Sequence, residues 1–72
     1  MSVYPNPTNG DINVLHNMGE EVTYTLFNLL GQVVQEGSLS NNVIDANTIS
    51  SGVYILTISN GDVTVSRRVV KN

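Results

Sequence analysis

Apolar and polar positions alternate with a period of two along most of the chain, and no segment shows the 3.6-residue spacing of an amphipathic helix. This pattern predicts an all-β domain. Ser2 to Tyr4 reads as a short first strand, ended by Pro5-Asn6-Pro7, where each proline fixes φ, removes an amide donor and drives the preceding residue extended. Thr8-Asn9-Gly10 turns the chain into a second strand, in which Ile12 and Val14 alternate with Asp11 and Asn13, and Asn17 to Glu20 reads as a loop. Val22, Tyr24 and Leu26 share one face of a third strand that runs on through Phe27. Asn28-Leu29-Leu30-Gly31 then turns into a fourth strand, Gln32 to Glu36, which Gly37-Ser38 breaks. A fifth strand, Val43 to Ala46, points Ile44 and Ala46 to one face. Asn47 to Gly52 predicts a turn of 3₁₀ type or an open loop anchored by Ile49. Val53 to Ser59 is apolar on both faces, as expected of a central strand covered on two sides. Asn60-Gly61 predicts a type I′ hairpin, with positive φ at both central residues, into a last strand from Val63 to Val70.

Strands of this number and spacing predict an antiparallel β-sandwich of about seven strands, immunoglobulin-like or fibronectin-like, with a small barrel as the alternative. The Cys…Trp…Cys pattern of immunoglobulin domains is missing. At 72 residues the chain makes one domain with a thin core. It has no cysteine, which excludes disulfides and leaves the compartment open. Charged residues are only 12% of the chain, so Asn, Ser, Thr and Gly supply the polar surface. A net charge of −3 argues against general attraction to nucleic acid or anionic lipid. No apolar run is long enough to cross a bilayer, and the first residues show neither the basic nor the apolar region of an export leader, so nothing in residues 1–72 is expected to insert or to initiate export. Met1 directly precedes a strand, so residues 1–72 are expected to be a fragment of a longer protein with a start codon placed ahead of it.

No constellation of residues supports catalysis, and no enzyme activity, metal or cofactor is expected. His16 is the only histidine and reads as an exposed strand-end residue, since a metal site needs several ligands. Ser50-Ser51-Gly52 lies outside any nucleophile motif. Glu20-Glu21 and Asp62 read as solvated surface, and no glycine opens a helix that could cradle phosphate. Tyr4, Tyr24, Phe27 and Tyr54 sit on alternating strands where core packing is expected, which leaves no platform for stacking sugars or bases.

The basic residues break this even picture, because Arg67, Arg68 and Lys71 all fall in the last six positions. On physical grounds alone such a tail could simply protect an edge strand from aggregation. Four segments together add a second reading. Val3-Tyr4-Pro5-Asn6-Pro7-Thr8-Asn9-Gly10, Phe27-Asn28-Leu29-Leu30-Gly31-Gln32-Val33-Val34, Ser51-Gly52-Val53-Tyr54-Ile55-Leu56 and the tail Ser66-Arg67-Arg68-Val69-Val70-Lys71 occur in this order. The set resembles the type A C-terminal sorting domain of type IX secretion (the Por secretion system) in Bacteroidota, over essentially the whole chain.

That resemblance implies an immunoglobulin-like sandwich carried behind an N-terminal passenger. It would pass through the periplasm, be read by the outer-membrane translocon and in many cases be removed by a sortase-like signal protease, leaving the passenger on the cell surface or in the medium. Arg67, Arg68, Val69, Val70 and Lys71 would be the recognition residues, read by strand addition and charge complementarity. Pro5, Asn6, Pro7, Gly10, Gly31, Gln32, Gly52 and Tyr54 would be structural, with Gly10, Gly31 and Gly52 in turn conformations that a Cβ would strain. Arg stands at the paired basic positions where many members of the family have Lys. Rival readings from other classes are an adhesive or carbohydrate-binding sandwich and a passive spacer.

Overall fold

A computed structural model describes residues 1–39 and 41–72, and among these it contains strands and no helix. The strands are β1 (Ser2–Tyr4), β2 (Asp11–Leu15), β3 (Thr23–Asn28), β4 (Val33–Ser38), β5 (Val43–Asp45), β6 (Gly52–Ser59) and β7 (Thr64–Lys71). They form two antiparallel sheets, β1-β2-β5 and β4-β3-β6-β7, so the fold is a β-sandwich and not a barrel. β4 pairs with β3 instead of closing the opposite sheet beside β5, unlike the constant-type immunoglobulin arrangement.

The alternating apolar positions meet between the sheets. Ile12, Val14 and Ile44 from one sheet face Tyr24, Leu26, Tyr54, Leu56, Ile58 and Val69 from the other. Burying a side chain of this size contributes about 1.5–3 kcal/mol, the main term that opposes the conformational entropy of a chain with no disulfides. Gln35 ties the sheets at one side, donating from Nε2 to the Asp45 carbonyl at 2.7 Å and to the Tyr24 hydroxyl at 3.0 Å. Ile49 packs on the core, and its N–H reaches the Ala46 carbonyl at 3.4 Å, the expected 3₁₀ spacing.

Four expectations are corrected. β4 runs through Gly37 to Ser38 instead of breaking there, because the Tyr24 ring lies over Gly37, where a Cβ would sit 3.3 Å from it. The β6-β7 turn is not type I′. Ser59 pairs with Thr64, leaving a four-residue loop in which only Gly61 has positive φ, +97°, while the Asn60 side-chain oxygen accepts from the N–H groups of Asp62 and Val63. β6 is central in its sheet but covered on one face only, so Val53 and Ile55 are half-buried. Of the aromatics, Tyr24 and Tyr54 join the core, Phe27 is half-buried and Tyr4 is 52% exposed.

Candidate recognition site at the last strand

β7 is the edge of the four-stranded sheet, and period-two alternation divides its residues between two environments. Val69, opposite Tyr54, is 1% exposed. Lys71 follows it on the same face and is also buried; its ammonium donates to the Ile49 carbonyl at 2.9 Å. Lys71 is therefore an internal cation held by a carbonyl, set apart from the two arginines. Arg68, opposite Ile55, is exposed on the outer face of the sheet. Arg67, opposite Leu56, lies on the inward side but reaches solvent past the sheet edge, where its Nη1 donates to the Ser66 carbonyl at 2.9 Å. Val70 is half-buried beside Val53.

The outer edge of β7 is occupied by the chain's own first turn. Thr8 lies parallel to Lys71, with its N–H on the Val70 carbonyl and its carbonyl accepting from Asn72 N–H, both at 2.8 Å. Two residues earlier the Asn6 amide imitates a peptide group. Its Nδ2 donates to the Arg68 carbonyl and its Oδ1 accepts from Val70 N–H, each at 3.0 Å. Pro5 and Pro7 flank it, exposed in the bend, with Tyr4-Pro5 and Asn6-Pro7 both cis. Thr8 is 1% exposed, and its hydroxyl accepts from Gly10 N–H at 3.1 Å while donating to the Asp11 carbonyl. Residues 6–8 thus strap the chain end, and the backbone expected to be open for strand addition from Arg68 to Asn72 is already paired.

The remaining family-motif residues support this end of the molecule. Gly10 does not have the positive φ expected of it; it is buried, and a Cβ there would overlap the Asn47 side-chain amide. Asn47 is fixed in turn by Asp45, whose carboxylate accepts from its backbone N–H at 3.0 Å and its Nδ2 at 2.6 Å. These bonds, the backbone one first, hold the Asp45 carboxyl below its ordinary value of 3.8 against a weaker opposing desolvation. Gly31 does take positive φ, +83°, in a turn closed by Asn28, whose Oδ1 accepts from Leu30 N–H and Gln32 N–H at 3.0 Å each. Gln32 is exposed ahead of β4, and its Oε1 accepts from Asn28 Nδ2 at 2.9 Å. Gly52 opens β6, and buried Tyr54 donates its hydroxyl to the Ser50 carbonyl at 2.6 Å.

Thr8 and Asn28 lie in turns that the sequence predicts, and the structure adds the side-chain bonds by which each of them holds its turn, as a short polar side chain next to proline or leading into glycine can do. His16 is half-buried, not simply exposed: Nδ1 accepts from Met18 N–H at 3.0 Å, which directs the proton on Nε2 toward Asn42 Oδ1 at 3.1 Å. Among the described residues no group of three or more His, Cys, Asp or Glu is placed to hold a metal ion.

The sequence profile of the secretion-system C-terminal sorting domain matches residues 2–72. The chain belongs to this family. It is a C-terminal sorting signal for type IX secretion, and its role implies that secretion machinery, a passenger protein, and export to the outer membrane, cell surface or medium. Sorting domains are not catalytic in general. No curated protein matches the chain.

Proposed function

We propose that the translocon reads this sorting domain as a folded, strapped strand and not as a loose peptide end. Arg67, Arg68 and Val70 are the surface it meets, while Val69 and Lys71 anchor that surface to the core. In this reading residues 1–72 are the single sorting domain of a larger secreted protein. The domain is a substrate and performs no reaction of its own. It meets the translocon from the periplasm, and a sortase-like signal protease then separates it from the passenger.

The observation that carries the reading is the division of labour along β7. Its two exposed guanidiniums have no carboxylate partner among the described residues, while the backbone edge beyond them is paired with Asn6 and Thr8. Charge presented on a fixed strand raises encounter rate and sets orientation. The Arg-for-Lys difference from many relatives keeps the charge and adds a planar fork suited to carboxylates.

The test uses point variants, because deleting the tail would also remove Val69 and the backbone that Asn6 and Thr8 strap. A secreted fluorescent passenger fused ahead of residues 2–72 is followed in a bacterium with a type IX system. The Arg67→Ala/Arg68→Ala pair is expected to leave the melting temperature of the domain unchanged and to hold the passenger inside the outer membrane. Full export of the double variant would overturn the reading.

A further inference from the structure

The outer face of the four-stranded sheet is divided in two, and the division does not follow from solvation. Residues directly opposite one another in antiparallel pairs share a face, so the register gives the rows across it. Ser38, Thr23, Ser59 and Thr64 make one row, and Glu36, Thr25, Thr57 and Ser66 the next. Past the β-bulge at Leu26/Phe27 the character changes: the following row is Val33, Phe27, Ile55 and Arg68, and beyond it Val53 lies beside Val70. Among the described residues no second layer covers this face. Phe27, Val53, Ile55 and Val70 are half-buried, and Val33 is 51% exposed. The Asn28-locked turn at the edge of this half holds Leu29 and Leu30 68% and 85% exposed.

A sheet face that only meets water would continue the Thr and Ser rows. Here apolar side chains surround a single guanidinium, at the end of the face nearest the chain terminus, with polar rows as a rim, which is the make-up of an interaction surface. We infer that this apolar half of the outer sheet face docks a protein segment that presents an Asp or Glu between aliphatic residues, with Arg68 receiving the carboxylate. Charge complementarity selects this occupant. Among the described residues Arg68 is the only charged side chain in the apolar rows and Glu36, in the polar half, the only side-chain carboxylate in the rows of the face, and a guanidinium fork offers paired N–H donors to a carboxylate.

This inference rests on the sorting reading above, and the test separates the two. Phe27→Thr and Ile55→Thr extend the polar rows while keeping both arginines, and Thr57→Val is the control in the polar half. With wild-type export and the Arg67→Ala/Arg68→Ala defect both established, Phe27→Thr/Ile55→Thr is expected to lower export about tenfold or more. Its melting temperature should stay close to that of the wild type, and Thr57→Val should export normally. Arg68→Lys should keep more export than Arg68→Gln. A photo-crosslinker placed at residue 53 in exporting cells should form an adduct whose mapped segment carries an Asp or Glu flanked by aliphatic residues.

Unchanged export by the threonine pair, beside a failing arginine pair, would overturn this surface and leave the tail reading standing. Normal export by the arginine pair would overturn the tail reading first. An adduct to a second copy of this chain, to lipid, or to a segment with no carboxylate would overturn the assigned occupant.

Discussion

The two halves of the last strand share a sheet and a partner strand but are built on different terms. From Thr64 to Arg67 the side chains are exposed or half-buried, and among the described residues the edge away from β6 meets only Arg67's own guanidinium at the Ser66 carbonyl. From Arg68 to Asn72 the strand has β6 on one side and Asn6 and Thr8 on the other, with Val69 and Lys71 sunk into the core. A chain end is ordinarily the first place to fray. This domain makes its end the better-held half, so what a partner meets there is a fixed set of side chains.

The contrast can be broken hardest at Thr8. Thr8→Val keeps the shape but strands the buried Gly10 N–H and Asp11 carbonyl, at a cost of about 2–4 kcal/mol. Thr64→Val, at the open end, should change stability by less than about 0.5 kcal/mol. Urea melts of the two variants measure the difference, and equal midpoints would show that the strap carries no stability. Lys71 gives the next largest effect. Lys71→Ala removes a charge-assisted bond from the part-buried Ile49 carbonyl and should cost about 2 kcal/mol, whereas Arg67→Ala should be close to neutral in the same melts. If Arg67→Ala proved the more damaging of the two, the division of the cations into anchor and surface would be wrong.

Asn6 is more exposed, and its loss is milder. Asn6→Ala should cost about 1 kcal/mol, because water can replace both bonds in the bend. Its sharper signature is local: the Val70 amide should exchange with deuterium faster in the variant, with the Ile58 amide unchanged. Uniform acceleration would mean that Asn6 supports the whole fold and not the strap.

What could be read in the sequence divides along the same line. Ile12, Leu26, Leu56 and Ile58 announce strands because their burial repeats locally every second residue, and that signal needs no knowledge of partners. Asn6 and Asn28 look alike in sequence, each a turn residue beside Pro or leading to Gly. Yet Asn28 closes its own turn across four residues, while Asn6 reaches 64 residues along the chain to Val70. Only the first kind of contact can be inferred from neighbours. Lys71 was half legible, since it shares the parity of Val69, but grouping by charge placed it with the arginines. The Asn60-Gly61 dipeptide signals a two-residue turn, whereas the Asn60 side chain caps a longer loop that the dipeptide alone does not disclose. Phe27, Ile55 and Arg68 are separated in sequence, and only the register of two strand pairs, β3–β6 and β6–β7, brings them into one row.

The smallest effect tests the floor under the strap. Asp45 holds Asn47, whose amide occupies the space left by Gly10, and Ala46 N–H donates to the Gly10 carbonyl at 2.9 Å. The native Asp45 carboxyl titrates below its ordinary 3.8, so between the native and unfolded values the unfolded chain binds more protons than the folded one. Its contribution is present above pH 3.8 and is lost as pH falls through the lower native value. Because Asp45 is fully exposed, the change should be small and should vanish in Asp45→Asn. Chemical-shift titration from pH 6 to pH 2 should show the Gly10 and Asn47 amides following Asp45, with the Gly61 amide unmoved by it. Titration of Asp45 at its ordinary value, with Gly10 indifferent to it, would cut the link between this loop and the strap and leave Thr8 and Asn6 to hold the chain end alone.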